Sequence, residues 1–258
     1  MRVPPAAADV AVVFGSGLAV VPDGALVERQ YTLADLGWPA PAVAGHGSML
    51  VLARLPRGTA AAGGRTSVED TLLALVHGRP HSYEGWDRDA LERVVADLAT
   101  AGVRRFVLLN ACGGLSPAVA VGDVVVGTAV VDLQEAPDEA PPRLEVCAPA
   151  EAARVAAALA AVTPARPGVY VAVPGPQYET PEEVAWLAGY GDVVGMSTAP
   201  EVRAALRAGV ELCLLSLVVN RAAAVGSHDE VLATAATFRA AVGAALAAVL
   251  AARWPELA

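Results

Sequence analysis

Arg79 and His81 stand two residues apart in Gly78-Arg79-Pro80-His81-Ser82-Tyr83-Glu84-Gly85, directly after the apolar run Thr71 to Val76. Side chains alternate faces on extended backbone, so the guanidinium and the imidazole project to one side. Two donors converging where a strand ends suit a phosphate: arginine offers a planar fork of N–H groups, and histidine adds another. Glu84 can accept the second ring proton of His81 and so fix its tautomer. Taken alone, the same eight residues also read as an ordinary polar turn.

Other small or polar clusters follow apolar runs in the same way. Gly15-Ser16-Gly17-Leu18 follows Val10–Phe14, and Asn110-Ala111-Cys112-Gly113-Gly114 follows Arg105–Leu109. Gly175-Pro176-Gln177-Tyr178-Glu179-Thr180 follows Val169–Val173, and Gly195-Met196-Ser197-Thr198 follows Val193-Val194. Open α/β sheets bind ligands beyond the carboxyl ends of their strands. The glycine-flanked Ser16 allows the backbone close to an anion, and serine hydroxyls such as those of Ser16 and Ser197 donate without adding charge. Both serines also fit plain turn or capping roles. Asn220 ends the apolar run Leu212–Val219, where its amide serves either the backbone or a ligand.

The elements that must hold these groups alternate. Strands are expected at Val10–Phe14, Met49–Leu55, Thr71–Val76, Arg105–Leu109, Asp123–Val131, Val169–Val173, Asp192–Val194 and Glu211–Val219. Helices are expected at Asp87–Ala101, Pro149–Val162, Pro181–Gly189, Ala199–Ala208 and His228–Ala252. Thr180-Pro181-Glu182-Glu183 places a cap, a proline and two acids at a helix start, and Thr198-Ala199-Pro200-Glu201 repeats the cap-to-acid pattern. Val- and Leu-rich strands without clean alternation imply a sheet covered on both faces. The expectation is one α/β domain spanning residues 1–258, an α/β/α sandwich with a mixed central β-sheet. Pro56 to Ser67 and Ala136 to Pro142 read as surface loops, the first with a lid as an alternative.

The chain of 258 residues carries a formal charge of −9, which excludes the basic surface that nucleic acid selects. Three cysteines, Cys112, Cys147 and Cys213, lack metal-binding spacing and suit a reducing cytoplasm. Prolines and Asp9 precede any apolar run, so no leader is expected. The uncharged run Ala240–Ala252 is too short to span a bilayer and reads as a packed carboxyl-terminal helix.

In this order the motifs resemble the trimeric purine nucleoside phosphorylases, the 6-oxopurine-preferring branch of the nucleoside phosphorylase superfamily, from Val10 to about Leu232. The most specific are the segments beginning at Gly78, Gly175 and Gly195. The resemblance implies phosphorolysis of nucleosides such as inosine or guanosine, with inorganic phosphate as co-substrate and neither cofactor nor metal. It implies phosphate contacts from Ser16, His46, Arg79, His81, Ser197 and the Ala111 amide. It places Tyr83, Met196 and His228 on the sugar, Tyr178 against base and ribose, and Glu179 and Asn220 on the base. His81, Glu179, Asn220 and His228 form the implied catalytic set. A carboxylate at Glu179 can accept from N1–H, while Asn220 can donate to N7 and face O6. Where the methylthioadenosine-cleaving relatives resemble aspartate, Asn220 points to 6-oxo bases. The resemblance also implies a homotrimer.

Several stretches depart from that pattern. Residues 131–168 are short, without the His-Ile-Asn strand end and the Phe-Pro segment that crosses to a neighbouring subunit. The stretch from Asn220 to His228 is compressed and carries Arg221 in place of lysine, Ala19 follows Gly-Ser-Gly-Leu, and Asn-Ala-Cys replaces Asn-Ala-Ala. The phosphate and base motifs are intact, whereas the ribose side and the subunit contact differ. Three alternatives follow: a nucleoside-binding relative with weak turnover, a phosphorylase for a modified sugar such as that of 5′-methylthioadenosine, and a hydrolase using Ser16 or Cys112. No Gly-x-Ser-x-Gly elbow supports the hydrolase.

Overall fold

The computed structural model describes residues 8–42, 47–56, 70–134, 141–224 and 228–257. His46, the loop after Pro56 and most of the Ala136–Pro142 loop lie outside the described residues. A ten-stranded mixed sheet runs through the molecule, and β1 (Val10–Phe14) lies inside it, parallel to both β4 (Thr71–His77) and β5 (Arg105–Gly114). Beyond β4 come β3 (Met49–Leu55) and the edge strand β2 (Leu26–Thr32), each antiparallel to its neighbour.

At the other end the sheet curls on itself. β10 (Glu211–Arg221) pairs with β5 and with β6 (Val124–Asp132), and β6 pairs with β8 (Ala165–Ala172). β9 (Val193–Gly195) then joins β8 back to β5, closing a five-stranded ring, while the short β7 (Arg143–Glu145) hangs on β6.

Both sheet faces are covered, which explains the unbroken apolar strands. Ala11 and Val13 face one core with Val94, Val95 and Leu98 of α1 (Arg88–Thr100) and Val202 of α4 (Ala199–Ala208). Val10, Val12 and Phe14 face the other, with Val155 and Leu159 of α2 (Pro149–Leu159) and Val242, Leu246 and Val249 of α5 (His228–Arg253). One α5 window of mean hydropathy 1.7 is long and apolar enough for a membrane by composition, which the uncharged run Ala240–Ala252 understated. That helix packs its Val and Leu side chains on the sheet.

Most elements fall where expected, with three differences. β2 is unexpected because its LVERQYT sequence is polar and almost wholly exposed, so no apolar pattern marks it. β7 has only three residues. The cluster Asn110–Gly114 is not a turn after β5 but its continuation, because β10 pairs alongside it to Gly114.

Candidate active site

One open cleft gathers every predicted site residue within the described regions: Ser16, Arg79, His81, Ala111 and Ser197 with Tyr83, Tyr178, Glu179, Met196, Asn220 and His228. The topology accounts for this convergence. β1 and β4 run parallel and deliver Ser16 and Arg79 from adjacent exits. β5 outruns β1, whose pairing stops at Leu109, so the edge of β5 near Ala111 opens to the cleft. β9 is antiparallel to β5, with Val194 beside Gly113, so its exit returns Met196, Ser197 and Thr198 to the level of Asn110.

Arg79 is held from three sides. Its Nε donates to Glu201 Oε1 at 3.0 Å, one terminal nitrogen reaches Thr198 Oγ1 at 3.2 Å and Ser197 Oγ at 3.4 Å, and the other reaches the Val13 carbonyl at 3.4 Å. Asn110 Nδ2 donates to the same Thr198 hydroxyl at 3.0 Å. Thr198 therefore does not cap α4 as its sequence pattern implies. It sits at φ 76°, makes no side-chain cap bond, and turns its hydroxyl to Arg79 and Asn110. A β-branched residue in that region is an outlier that surrounding contacts must sustain. Glu201 is the first-turn acid of α4 that its pattern implies, and it is also buried against Arg79. The amide and hydroxyl of Asn110 and Thr198 and the carboxylate of Glu201 are the supporting groups that sequence reasoning missed. Each was visible only as part of a motif, since which helix-start polar group turns inward depends on the fold.

His81 is oriented as expected. Glu84 Oε1 lies 3.3 Å from His81 Nδ1 and accepts from the His81 amide at 2.7 Å, while Oε2 accepts from the Ala42 amide at 2.7 Å. Burial pushes the Glu84 carboxyl up, but the bonds from the His81 ring and the two amides outweigh it and leave it below its ordinary value. The Tyr83 ring stacks on His81 with centroids 4.8 Å apart. Burial, with Glu84 and Tyr178 adding, pushes the Tyr83 hydroxyl up to about 12. This pair links the anion side of the cleft to the other side.

On that other side Glu179 precedes α3 (Pro181–Leu187), whose start is capped as its sequence predicts: Thr180 Oγ1 accepts from Glu183 N at 3.2 Å and Glu183 Oε2 accepts from Thr180 N at 2.8 Å. Burial raises the Glu179 carboxyl, its own backbone amide opposes this, and the nearby Glu183 raises it further. Gly175, at φ 69°, lies where a Cβ would fall 2.5 Å from Met196 Sδ and 3.0 Å from a Tyr83 ring carbon. Only glycine admits both side chains there. Asn220 donates one Nδ2 hydrogen to the Arg221 carbonyl at 2.9 Å, so the backbone use of this amide is realised and a second hydrogen remains on Nδ2. Cys112 donates to the Leu217 carbonyl, and burial pushes its thiol far up, which removes it as a nucleophile.

One cleft thus brings together an anchored arginine, an oriented histidine, the half-buried carboxylate of Glu179 and the amide of Asn220. The chain belongs to the phosphorylase superfamily, whose model matches residues 53–251. It is 36% identical to the purine nucleoside phosphorylase of Mycobacterium tuberculosis over 266 residues, covering 94% of this chain and 89% of that one. It is 30% identical to purine nucleoside phosphorylase 1 of Bacillus subtilis, covering 88% of this chain and 86% of the relative. Among solved structures, purine nucleoside phosphorylase of Schistosoma mansoni with inosine matches at TM-score 0.71 and 25% identity, over 96% of this chain and 91% of that one. A schistosome purine nucleoside phosphorylase with hypoxanthine matches at TM-score 0.73 and 26% identity, over 95% and 91% respectively.

Proposed function

We propose that the cleft splits 6-oxopurine nucleosides with inorganic phosphate, giving free base and (deoxy)ribose 1-phosphate. The observation that carries this is the union in one cleft of an anion-suited set, Ser16, Arg79, His81 and Ser197, with a base-suited pair, Glu179 and Asn220. Arg79, His81, the two serine hydroxyls, the Ala111 amide and His46 hold phosphate beneath the sugar. Tyr83 and Met196 contact the ribose, His228 reaches its 5′-hydroxyl, and Tyr178 stacks against the base.

In the reaction the C1′–N9 bond breaks and its electron pair passes into the purine, while a phosphate oxygen bonds C1′ through an oxocarbenium-like state. No covalent nucleophile is needed, so catalysis is positioning and electrostatics. Asn220, with one amide hydrogen on the Arg221 carbonyl, gives its second to N7, where electron density collects. Glu179 accepts from N1–H, and the departing base takes up, by way of solvent, the proton that hydrogen phosphate loses as its oxygen bonds C1′. Phosphate is the only co-substrate, and no cofactor or metal takes part. The enzyme works in the cytoplasm as a homotrimer on small molecules, without nucleic acid or membrane.

Inosine or guanosine is incubated with and without phosphate and free base is measured. Release that depends on phosphate supports the reading. Release without phosphate, or binding without release, overturns it. Light scattering tests the trimer, which a monomer at micromolar concentration refutes.

A further inference from the structure

Gln134 lies one residue past Leu133, at the exit of β6, and was given no role by its sequence. Its side-chain Nε2 donates to the carbonyls of Met196 at 3.1 Å and Val173 at 3.4 Å. The first carbonyl belongs to the residue that opens the Met196-Ser197-Thr198 turn, and the second follows the end of β8. One amide thus ties the exits of three ring strands together beneath the cleft. Gln134 also lines a small pocket with His81, Ser197 and Glu201, behind the anion side.

The backbone of Gln134 is aimed from the far side by the helix that this same turn begins. Asp132 Oδ1 accepts from the Gln134 amide at 3.1 Å, and Asp132 Oδ2 pairs with Arg203 of α4. Arg203 also reaches Glu92 of α1 at 3.2 Å. The contacts close a loop: Ser197 and Thr198 lead into α4, α4 carries Arg203, Arg203 holds Asp132, Asp132 sets Gln134, and Gln134 holds Met196. Two carbonyl oxygens face one group here, so that group must be a donor, and of the two amide atoms only the NH2 satisfies both. Glutamate has nearly the same shape and would set a negative oxygen against them.

We propose that Gln134 is a positioning residue for the phosphorolysis reaction, setting the height of the Met196–Ser197 turn and thereby the binding of both phosphate and sugar. This rests on the reaction assigned to the cleft, and acts through the main chain of the turn without touching substrate.

The test compares wild type with Q134L and Q134E, using inosine and inorganic phosphate, with folding of each checked by circular dichroism. Q134L should raise KM for both substrates by about tenfold, the loss of roughly two hydrogen bonds, with kcat changed less than threefold. Q134E should match that defect at pH 8 and lose part of it as pH falls, because a protonated carboxyl can donate to one carbonyl again. Asp132, Glu201, Glu84, His81 and the charged Arg203 and Arg79 stand in the same region of both proteins, so the defect is read as a ratio to wild type at each pH. If Q134L does not fold, Q134M is read in its place. Unchanged KM values in a folded variant, or a Q134E defect independent of pH, overturn the inference. Wild type that releases no base overturns the assigned reaction instead, so the two failures are distinct.

Discussion

Glu201 and Arg79 form an ion pair sealed from solvent, with Nε and Oε1 3.0 Å apart and the two side chains 8% and 1% exposed. A guanidinium this deeply buried needs a counter-charge whether or not an anion is bound, because desolvation of a lone charge exceeds any other gain available to it. Glu201 supplies that charge from α4, and Thr198, Ser197 and the Val13 carbonyl take up further N–H groups. The arginine is therefore rigid before substrate arrives, which lowers the entropy lost on binding.

Breaking this pair should be costly, and phosphate should offset part of the cost. Glu201→Ala is expected to lower stability by about 3–5 kcal/mol, since it leaves Arg79 buried and unpaired. Urea unfolding with and without inorganic phosphate measures it. Phosphate should stabilise the variant more than wild type, because the bound anion replaces the lost carboxylate; equal stabilisation of the two contradicts this.

His81→Ala should act mainly on the phosphate requirement. The ring stands on the anion side of the cleft and is oriented by Glu84, whose Oε1 lies 3.3 Å from His81 Nδ1. Losing a charge-assisted contact costs about 1.5–3 kcal/mol, or roughly ten- to a hundredfold in phosphate KM. Steady-state kinetics at saturating nucleoside checks it, and an unchanged phosphate KM removes His81 from the anion site.

The strand exits were legible because each pairs an apolar run with small or polar residues, and the predicted site residues within the described regions come together on that basis. What the sequence concealed is where polar groups turn after the chain folds. Thr198 and Glu201 have the composition of an ordinary helix start, yet a positive φ at Thr198 swings them inward onto Arg79. Gln134 carried no signal, since its partners are two main-chain carbonyls remote in sequence. β2 was missed for the opposite reason: as an exposed edge strand it needs no apolar face.

Glu84 gives a pH signature for stability. Its folded value lies below the ordinary one, so its contribution is fully present above the unfolded value, about 4.3, and is lost as pH falls through the folded value. Glu84→Gln should therefore be less stable than wild type near neutrality, and the gap should close in acid below about pH 4. Thermal unfolding of both proteins across that range decides it; a gap that persists unchanged at the acid end counts against the Glu84–His81 assignment.

Glu179 should shape the acid limb of activity. Burial raises its carboxyl above the ordinary value, and the ionised form is the stronger acceptor for N1–H of a 6-oxopurine, able to stabilise it with a full charge. As pH falls through that raised value, kcat/KM for guanosine should decline, beginning above the ordinary carboxylate value of about 4.3. Glu179→Gln should have low activity throughout and lack this component when its profile is divided by that of wild type. A constant ratio across pH assigns the acid limb to another group.

Asn220→Asp tests how the base is read. The native amide spends one hydrogen on the Arg221 carbonyl at 2.9 Å, and the second is the donor proposed for N7. Aspartate removes both donors and supplies an acceptor where a 6-amino group would sit, so guanosine should lose and adenosine should gain relative to it. A site built around a hydrogen bond rejects a mismatched analogue strongly, and the guanosine-to-adenosine ratio of kcat/KM should fall by at least about tenfold. The variant also sets a carboxylate oxygen against the Arg221 carbonyl, a local cost that weakens both substrates alike and cancels in the ratio. Asn220→Ala separates the two effects, because it removes the donor without adding an acceptor and should depress guanosine without favouring adenosine. If the ratio is the same in wild type, Asn220→Asp and Asn220→Ala, then Asn220 serves the strand end alone and the base is read elsewhere in the cleft.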